Sequence, residues 1–291
     1  MIGRRMTFRG VEGNALAATV WGEGGRPVLL LHGGGQTRQA FAGAARRIAE
    51  AGYVAVTVDQ RGHGESEWVA SGRYGFEEFG RDAAALAEQA ARQWGETPVA
   101  VGASLGGIAS LLALGHEPGV FAGLVLVDVT PRIDPEGVGR ILGFMKSHVR
   151  EGFATVEEAA DAVAAYLPHR PRPKSLEGLK KNLRLGEDGR WRWHWDPRFM
   201  EDHAGPERGA ALQEELIRAT RSLAVPSLLV RGGASELVRE EHAREYLALA
   251  RDAEMADIAG ARHMVAGDRN DVFTQAILDF LTRRFPTRKV A

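Results

Sequence analysis

Cysteine is absent from the 291-residue chain. Disulfides, thiolate zinc sites, iron–sulfur clusters and cysteine nucleophiles all need its sulfur, so the sequence excludes each of them. If the protein forms a covalent intermediate with a substrate, a different side chain must make the attack.

An excess of charge of either sign is also absent. The chain has 37 lysines and arginines against 38 aspartates and glutamates, which gives a net charge of −1. A protein balanced in this way has no overall field that attracts nucleic acid or an anionic membrane surface. We therefore expect a small molecule as the partner, without nucleic acid or membrane binding.

Long hydrophobic runs are missing too. The longest apolar runs, such as 54–58, are far shorter than the roughly 20 residues that cross a bilayer. The two arginines near the N-terminus are not followed by the apolar stretch of a signal peptide. A cytoplasmic location is the expectation.

Short apolar runs alternate with helical patterns over most of the chain. The runs are apolar throughout instead of at every second position, which is typical of parallel strands covered by helices on both faces. We therefore predict the α/β class with a mostly parallel central sheet. The predicted strands are 6–9, 15–21, 27–31, 53–58, 98–103, 121–129, 226–231 and 253–258, and the predicted helices are 37–51, 76–94, 105–116, 239–250 and 271–285.

The alternation stops after Pro131 and resumes at about residue 223. The segment between is helical in pattern, contains prolines and a basic run at 169–174, and has no apolar strand run. At roughly 150 residues per domain, the chain length suggests about two domains or one large domain with an insertion. We predict a sheet domain made of 1–131 and 223–291, interrupted by a helical insertion at 132–222.

Three of the six tryptophans lie close together in this insertion, separated by single residues. Strict alternation indicates an extended segment with Trp191, Trp193 and Trp195 on one face. The Asp188-Gly189 turn before it favours a hairpin whose other arm is 183–185. Two interpretations stay open: the aromatic face forms the wall of a pocket, or it seats the insertion on the sheet domain.

Ser104 lies in Gly102-Ala-Ser-Leu-Gly106-Gly107, between a predicted strand and a predicted helix. Glycines two residues before and two residues after a serine are, alone, weak evidence for a nucleophile. The position of this motif between a strand and a helix strengthens the evidence, because small residues permit a sharp turn that holds the serine oxygen outward. The alternative is that the glycines only let the helix pack closely on the sheet. We predict that Ser104 is a nucleophile.

A serine nucleophile needs a base, and the base needs a carboxylate that fixes its tautomer. Among nine histidines, only His263 follows a late strand at its carboxyl end. Two acids also stand at strand ends, Glu236 after the predicted strand 226–231 and Asp128 at the end of the predicted strand 121–129. We favour Glu236 as the partner of His263 and leave Asp128 open.

The oxyanion of a tetrahedral intermediate needs backbone donors. The amide of Leu105, directly after the serine, is one candidate. The second is the amide of Gly34, in the run His32-Gly-Gly-Gly35 after a predicted strand. A phosphate cradle is disfavoured, because that run lacks the Gly-Lys-Ser/Thr of a P-loop and the spacing of a dinucleotide-binding loop. The candidate residues imply neither a metal nor an organic cofactor.

Together these residues resemble the α/β-hydrolase superfamily. The resemblance also includes a block like that of epoxide hydrolases and cofactor-free haloperoxidases, although epoxide hydrolases have aspartate in place of Ser104. The resemblance implies an α/β-hydrolase fold in which the insertion is a cap over the active site. It also implies that the block 59–66 shapes the loop after the fourth strand and has a structural role. The matching blocks are Leu31-His-Gly-Gly-Gly35, Asp59-Gln-Arg-Gly-His-Gly-Glu-Ser66, Gly102-Ala-Ser-Leu-Gly106, Leu229-Val-Arg-Gly-Gly233 with Glu236, and Gly260-Ala-Arg-His263.

The resulting hypothesis is a serine hydrolase that cleaves carboxylic esters or related small acyl substrates through an acyl-enzyme. Perhydrolysis of the haloperoxidase type, lactone opening and carbon–carbon bond hydrolysis use the same triad and stay open. Outside enzymes, the alternative is a ligand-binding receptor that keeps the hydrolase fold. A homodimer is also left open.

Overall fold

The computed structural model describes residues 2–168, 175–201, 206–263 and 270–287, apart from the side chains of 206–208 and 270. The basic run at 169–174 lies outside these residues. The strands are β1 (Arg4–Arg9), β2 (Ala15–Trp21), β3 (Pro27–Leu31), β4 (Val54–Val58), β5 (Val99–Ala103), β6 (Gly123–Val127), β7 (Leu183–Leu185), β8 (Trp191–Trp193), β9 (Ser227–Gly232) and β10 (Ala253–Ile258). The helices are α1 (Ala42–Glu50), α2 (Phe76–Trp94), α3 (Leu105–His116), α4 (Pro135–Lys146), α5 (Val156–Tyr166), α6 (Glu177–Lys180), α7 (Pro206–Arg221), α8 (Glu240–Leu249) and α9 (Asn270–Arg284).

Eight strands form the central sheet in the order β1-β2-β4-β3-β5-β6-β9-β10. β2 pairs antiparallel with both β1 and β4, and every other neighbouring pair is parallel. The prediction of a mostly parallel sheet is confirmed. Because the parallel strands end at the same edge, the loops after β3, β5, β6, β9 and β10 can contribute to one site.

Both faces of the sheet are buried. In β3, Leu29 and Leu31 pack into one hydrophobic cluster with α2 and α3, whereas Val28 and Leu30 pack into another with α1 and α9. Side chains of successive strand residues point to opposite faces, so a strand that is apolar throughout serves two cores at once. This explains why the strand runs lack polar alternation.

The predicted helix 37–51 begins differently from the expectation. Residues Arg38–Phe41 form a 3-10 turn, and α1 starts only at Ala42. The amide of Arg38 donates to Asp59 Oδ1 at 2.5 Å, and its guanidinium pairs with the same carboxylate. These bonds tie the turn to the loop after β4, which accounts for the tighter winding.

The insertion contains a small sheet in addition to helices. β7 and β8 pair antiparallel, with Leu183 opposite Trp193 and Leu185 opposite Trp191, so the predicted hairpin is confirmed. At the end of the insertion, α7 packs against α3 of the sheet domain. The division at 131/132 and 222/223 stays a prediction.

The segment after β8 is attached to the loop that follows β4. Trp195 forms a β-bridge with His63, the amide of Asp196 donates to the carbonyl of Gly62 at 2.8 Å, and the Tyr74 hydroxyl donates to Asp196 Oδ2 at 2.6 Å. The Asp59–Ser66 block thus connects the sheet domain to the insertion. Among the helices with described residues, none is long and apolar enough to span a bilayer.

A buried ion pair fixes the same block to α2. The Arg61 side chain has no exposed surface, and its Nε and Nη2 donate to the two carboxylate oxygens of Asp82 at 2.8 Å. A third contact joins Nη1 to Glu12 at 2.8 Å. A buried guanidinium is tolerated because these acceptors replace water.

Replacing Asp82 by alanine leaves the Arg61 guanidinium without its main partner. We expect the free energy of unfolding, measured by urea denaturation, to fall by about 3–5 kcal/mol. The double variant Arg61→Met/Asp82→Leu removes both charges and should be more stable than Asp82→Ala. Asp279→Ala, at an exposed position on α9, should stay within about 0.5 kcal/mol of the wild type. A loss no larger than this control in Asp82→Ala would contradict the assigned role.

Candidate active site

Ser104 occupies a strained turn between β5 and α3. Its φ of 46° and ψ of −111° lie in a region that residues with a side chain rarely adopt. The turn is held on both sides, because the Ser104 amide donates to Val127 O at 3.2 Å and its carbonyl accepts from Ile108 N–H at 3.0 Å. Such strain is typical of a site where the backbone presents one side chain outward.

The glycines around Ser104 are sterically required. A Cβ at Gly102 would overlap the backbone of Gly106, and a Cβ at Gly106 would overlap the carbonyl of Leu31. The close approach of α3 to the sheet, which was the alternative explanation of these glycines, is therefore real. It is also the condition that lets the turn at Ser104 exist.

His263 contacts Asp128 and not Glu236. Its Nδ1–H donates to Asp128 Oδ2 at 2.9 Å, and the Asp128 side chain has no exposed surface. The preference for Glu236 as the acid that orients His263 is therefore wrong, and the alternative, Asp128, makes that contact. Both His263 and Ser104 line the cavity described below.

Asp128 is held by further donors from the loop after β9. The Gly232 amide donates to its Oδ1 at 2.9 Å, and the Ser235 hydroxyl donates to its Oδ2 at 2.6 Å. The Ser235 oxygen also accepts from the amides of Leu237 and Val238, at 3.0 and 3.1 Å. These bonds replace the water that the carboxylate loses on burial.

The bonds of Ser235 decide the direction of Glu236. The turn that they stabilise directs Glu236 toward the insertion, where its carbonyl lies directly against Gly137 of α4. Its side chain lines the cavity, and Oε2 is buried without a hydrogen-bond partner among the described residues. The sequence analysis missed Ser235, although a hydroxyl beside the glycines after β9 is a signal for such a turn.

The loop after β3 has one unused amide among its glycines. The amide of Gly33 donates to Gln36 Oε1 at 3.1 Å, and that of Gly35 donates to His63 Nε2 at 3.1 Å. Within the described ranges, neither the amide of Gly34 nor that of Leu105 has an acceptor. Leu105 is the first residue of α3, where helical geometry leaves the N–H unpaired. Both amides border the cavity and can receive an oxyanion.

Two buried histidines hold this loop in place. His63 donates from Nδ1 to Arg61 O at 2.9 Å, so its Nε2 is an acceptor for the Gly35 amide. His32 donates from Nδ1 to Gly33 O at 2.8 Å and accepts from the Gln60 amide through Nε2 at 3.0 Å. The sequence analysis did not assign these roles to His32 and His63. They depend on hydrogen bonds between the loop after β3 and the loop after β4, which only the folded structure brings together.

A cavity of about 390 Å³ lies between Ser104, the glycine loop and the insertion. Trp193 and Trp195 line it and are both buried. Trp195 also pairs with His63 of the sheet domain, so both open interpretations apply to it, whereas Trp193 packs on Phe144 and Phe153 of the insertion. Trp191 is absent from the wall and faces Lys180 at 5.7 Å. The apolar wall from the insertion comprises Ile133, Val138, Ile141, Leu142, Phe144, Met145, Val163, Leu167, Leu179, Trp193, Trp195 and Phe199.

A serine in a strained strand–turn–helix, a histidine–aspartate pair and two amides without an acceptor among the described residues, all at the carboxyl edge of a parallel sheet, are the arrangement of an α/β-hydrolase. The family model described as "Serine aminopeptidase, S33" matches residues 25–270. The chain belongs to this family of α/β-hydrolases.

The hydrolase is similar to several characterised proteins over most of its length. Esterase Rv0045c of Mycobacterium tuberculosis is 30% identical over 243 residues, covering 81% of this chain and 75% of that protein. The 3-hydroxybutyrate-oligomer hydrolase of Cupriavidus necator is 28% identical over 254 residues, covering 84% and 85%. The solved structure of E-2-(acetamidomethylene)succinate hydrolase has a TM-score of 0.79 at 25% identity, covering 96% of this chain and 98% of that one.

The pKa of His32 is testable directly. Burial lowers it from 6.5 to about 4, more than the bond to the Gly33 carbonyl raises it, and the charge of Arg38 lowers it further. A protonated Nε2 would also face the Gln60 amide, which is itself a donor. A folded-state pKa below the unfolded value means that His32 contributes stability above about pH 6.5, which is lost as the pH falls toward about 4. We expect ¹⁵N NMR to show a neutral, Nδ1-protonated His32 at pH 5.5. Protonation of His32 near pH 6.5 in the folded protein would contradict this, and the exposed His116 provides the comparison in the same spectra.

Proposed function

We propose that this hydrolase cleaves carboxylic esters of small acyl compounds through an acyl-enzyme on Ser104. The contact between His263 and Asp128, in the cavity that Ser104 also lines, is the observation that carries the proposal. The names of the esterase and oligomer-hydrolase relatives support ester bonds as the target. The proposal includes a cytoplasmic location and a small-molecule substrate as the partner, and it leaves a homodimer open.

The first half of the reaction is acylation. His263 takes the proton from Ser104 Oγ while the oxygen attacks the ester carbonyl, and the amides of Gly34 and Leu105 bind the oxyanion that forms. Asp128 stabilises the resulting imidazolium through the bond to Nδ1. The intermediate collapses as the ester bond breaks, and His263 gives the proton to the departing alcohol.

Deacylation repeats these steps with water as the nucleophile. His263 takes a proton from water, the hydroxyl attacks the acyl-enzyme, and Ser104 regains its proton as the carboxylic acid leaves. The strained turn matters in both halves of the reaction. It fixes the Ser104 oxygen and the amide of the next residue, Leu105, in one arrangement, so that the oxygen can react while the amide binds the oxyanion.

The cavity favours acyl or alcohol groups of modest size with apolar surface. Most of its wall is apolar, and its volume of about 390 Å³ lies in the range of small-molecule sites. Among the described residues, the acidic side chain in the wall is Glu236, with Arg262 and His263 as the basic ones. We therefore propose neutral esters, such as hydroxyalkanoate esters, over dicarboxylates of the kind named for the structural relative.

Replacing Ser104 by alanine tests the nucleophile. We expect kcat for p-nitrophenyl butyrate to fall by at least about 10⁴-fold, because the remaining groups provide only binding and oxyanion stabilisation. A fluorophosphonate should label the wild type once, at Ser104, as mass spectrometry would show. Ser110→Ala, a buried serine of α3, is the matched control and should keep the label. Retained activity in Ser104→Ala would contradict the proposal, and labelling without turnover of esters, lactones, peracids or diketones would favour the receptor alternative.

Replacing Asp128 by asparagine tests the corrected acid. The new amide N–H faces His263 Nδ1–H and favours the wrong imidazole tautomer, so kcat should fall by about 10⁴-fold. Thermal unfolding should confirm that the variant is folded. Asp252→Asn, at the exposed start of β10, removes the same charge from a surface pair with Arg284 and should leave kcat within about twofold. A loss in Asp128→Asn no larger than this control would contradict the role of Asp128.

A further inference from the structure

Glu236 is the acidic side chain of the cavity wall, and the mechanism leaves it without a role. It lies in the loop after β9, directly after the Ser235 that supports Asp128. Its Oε2 has no accessible surface and receives no hydrogen bond from the described residues. Leaving a buried carboxyl oxygen without a donor costs free energy, so its place beside the cavity calls for an explanation.

Most of the cavity wall that includes Glu236 is apolar. On the side of the insertion lies Tyr166, whose ring stacks on Phe144 with centroids 4.2 Å apart and planes 7° from parallel. Burial, and after it the charge of Glu236, raises the pKa of Tyr166 to about 12. The Tyr166 phenol in this wall is therefore neutral at ordinary pH.

Among the described residues, neither basic group of the same wall donates a hydrogen bond to Oε2. His263 is bonded to Asp128, and Arg262 is exposed. Oε2 itself has no accessible surface, so a molecule in the cavity meets the Glu236 carboxyl group where the rest of the side chain lines the wall. A polar acceptor in an otherwise apolar pocket is the usual means by which a site fixes the orientation of its ligand.

We propose that Glu236 is a specificity-determining residue whose carboxylate accepts a hydrogen bond from a hydroxyl or ammonium group of the substrate. The hydrolase then prefers esters that carry such a donor over esters with an apolar group of the same size. It rejects esters with a carboxylate at that place, because two like charges would meet in a medium of low dielectric. This inference rests on the proposed ester hydrolysis at Ser104.

Two matched substrate series test the proposal. The first contains p-nitrophenyl alkanoates whose terminal carbon carries a hydroxyl, an ammonium, a methyl or a carboxylate group. The second contains butyrate esters of alkanols with the same four end groups, so that a donor in the alcohol part is tested as well. Each series includes several chain lengths, because the end group can reach Glu236 only when the chain matches the distance from Ser104 to Glu236. The readout is the ratio of kcat/KM for each end group to that for methyl.

In the wild type, the ratio for hydroxyl or ammonium should reach at least about tenfold at the preferred chain length, the size of a hydrogen bond to a charged group. The ratio for carboxylate should lie below one. Glu236→Leu should bring the donor ratio to about one. Glu236→Gln should reduce the ratio more for ammonium than for hydroxyl, because the amide keeps an acceptor but loses the charge. Glu241→Gln, with a side chain 71% exposed on α8, should keep the wild-type ratios.

The outcomes separate the two proposals. Each variant is counted only if a fluorophosphonate labels Ser104, which shows that the site is folded. If the wild type fails to hydrolyse even the methyl-terminated esters, the proposed function fails. If it hydrolyses them with no preference for a donor in either series, or if Glu236→Leu keeps the preference, the role of Glu236 is overturned. A wild-type preference for the carboxylate would also overturn it and would point to Arg262.

Discussion

The carboxylate of Asp128 joins three parts of the chain that are far apart in sequence. It accepts hydrogen bonds from the Gly232 amide, the Ser235 hydroxyl and His263 Nδ1–H, and it is fully buried. Asp128 itself has a φ of 50°, so the chain bends sharply at the end of β6 to place this group. The loop after β9 and the loop after β10 both depend on it. The buried charge of Asp128 is tolerated because these three donors replace the water that the carboxylate loses. The bond to Nδ1–H also fixes the tautomer of His263.

A second set of contacts couples the glycine loop after β3 to the insertion. His63 accepts the Gly35 amide through its ring, forms a β-bridge with Trp195 through its backbone, and packs edge-on against Phe199 at 4.8 Å. The insertion therefore rests on the residue that holds the glycine loop. The Gly35 amide donates to His63 and the Gly33 amide donates to Gln36. Among the three glycines, Gly34 is therefore the one whose amide has no acceptor in the described residues. The Asp59–Ser66 block, which the resemblance marked as structural, supports the site from behind.

Much of the architecture follows from local sequence. The bounds of α2 and α3 match the predicted 76–94 and 105–116, because Gly95 in a left-handed conformation ends the first helix and the turn at Ser104 begins the second. The hairpin in the insertion was also predictable, since alternating tryptophans after an Asp-Gly turn leave few other arrangements.

The identity of the acid was not predictable in the same way. Asp128 and Glu236 both follow strands at the same edge, and spacing alone cannot say which one a turn directs at His263. Three hydrogen bonds of the Ser235 side chain decide this, and they depend on tertiary contacts. Likewise, the 3-10 turn at Arg38–Phe41 depends on Asp59, which lies one strand away.

The contact between Gly137 and the Glu236 carbonyl limits how the insertion can vary. Any side chain at Gly137 would push against the loop that also carries Ser235, and so against the support of Asp128. The start of α4 therefore packs against the support of Asp128, whereas Ile141 and Leu142, further along the same helix, line the cavity. A single helix thus has one end that packs against the loop supporting Asp128 and another where substitutions change the shape of the cavity without disturbing the contact between His263 and Asp128.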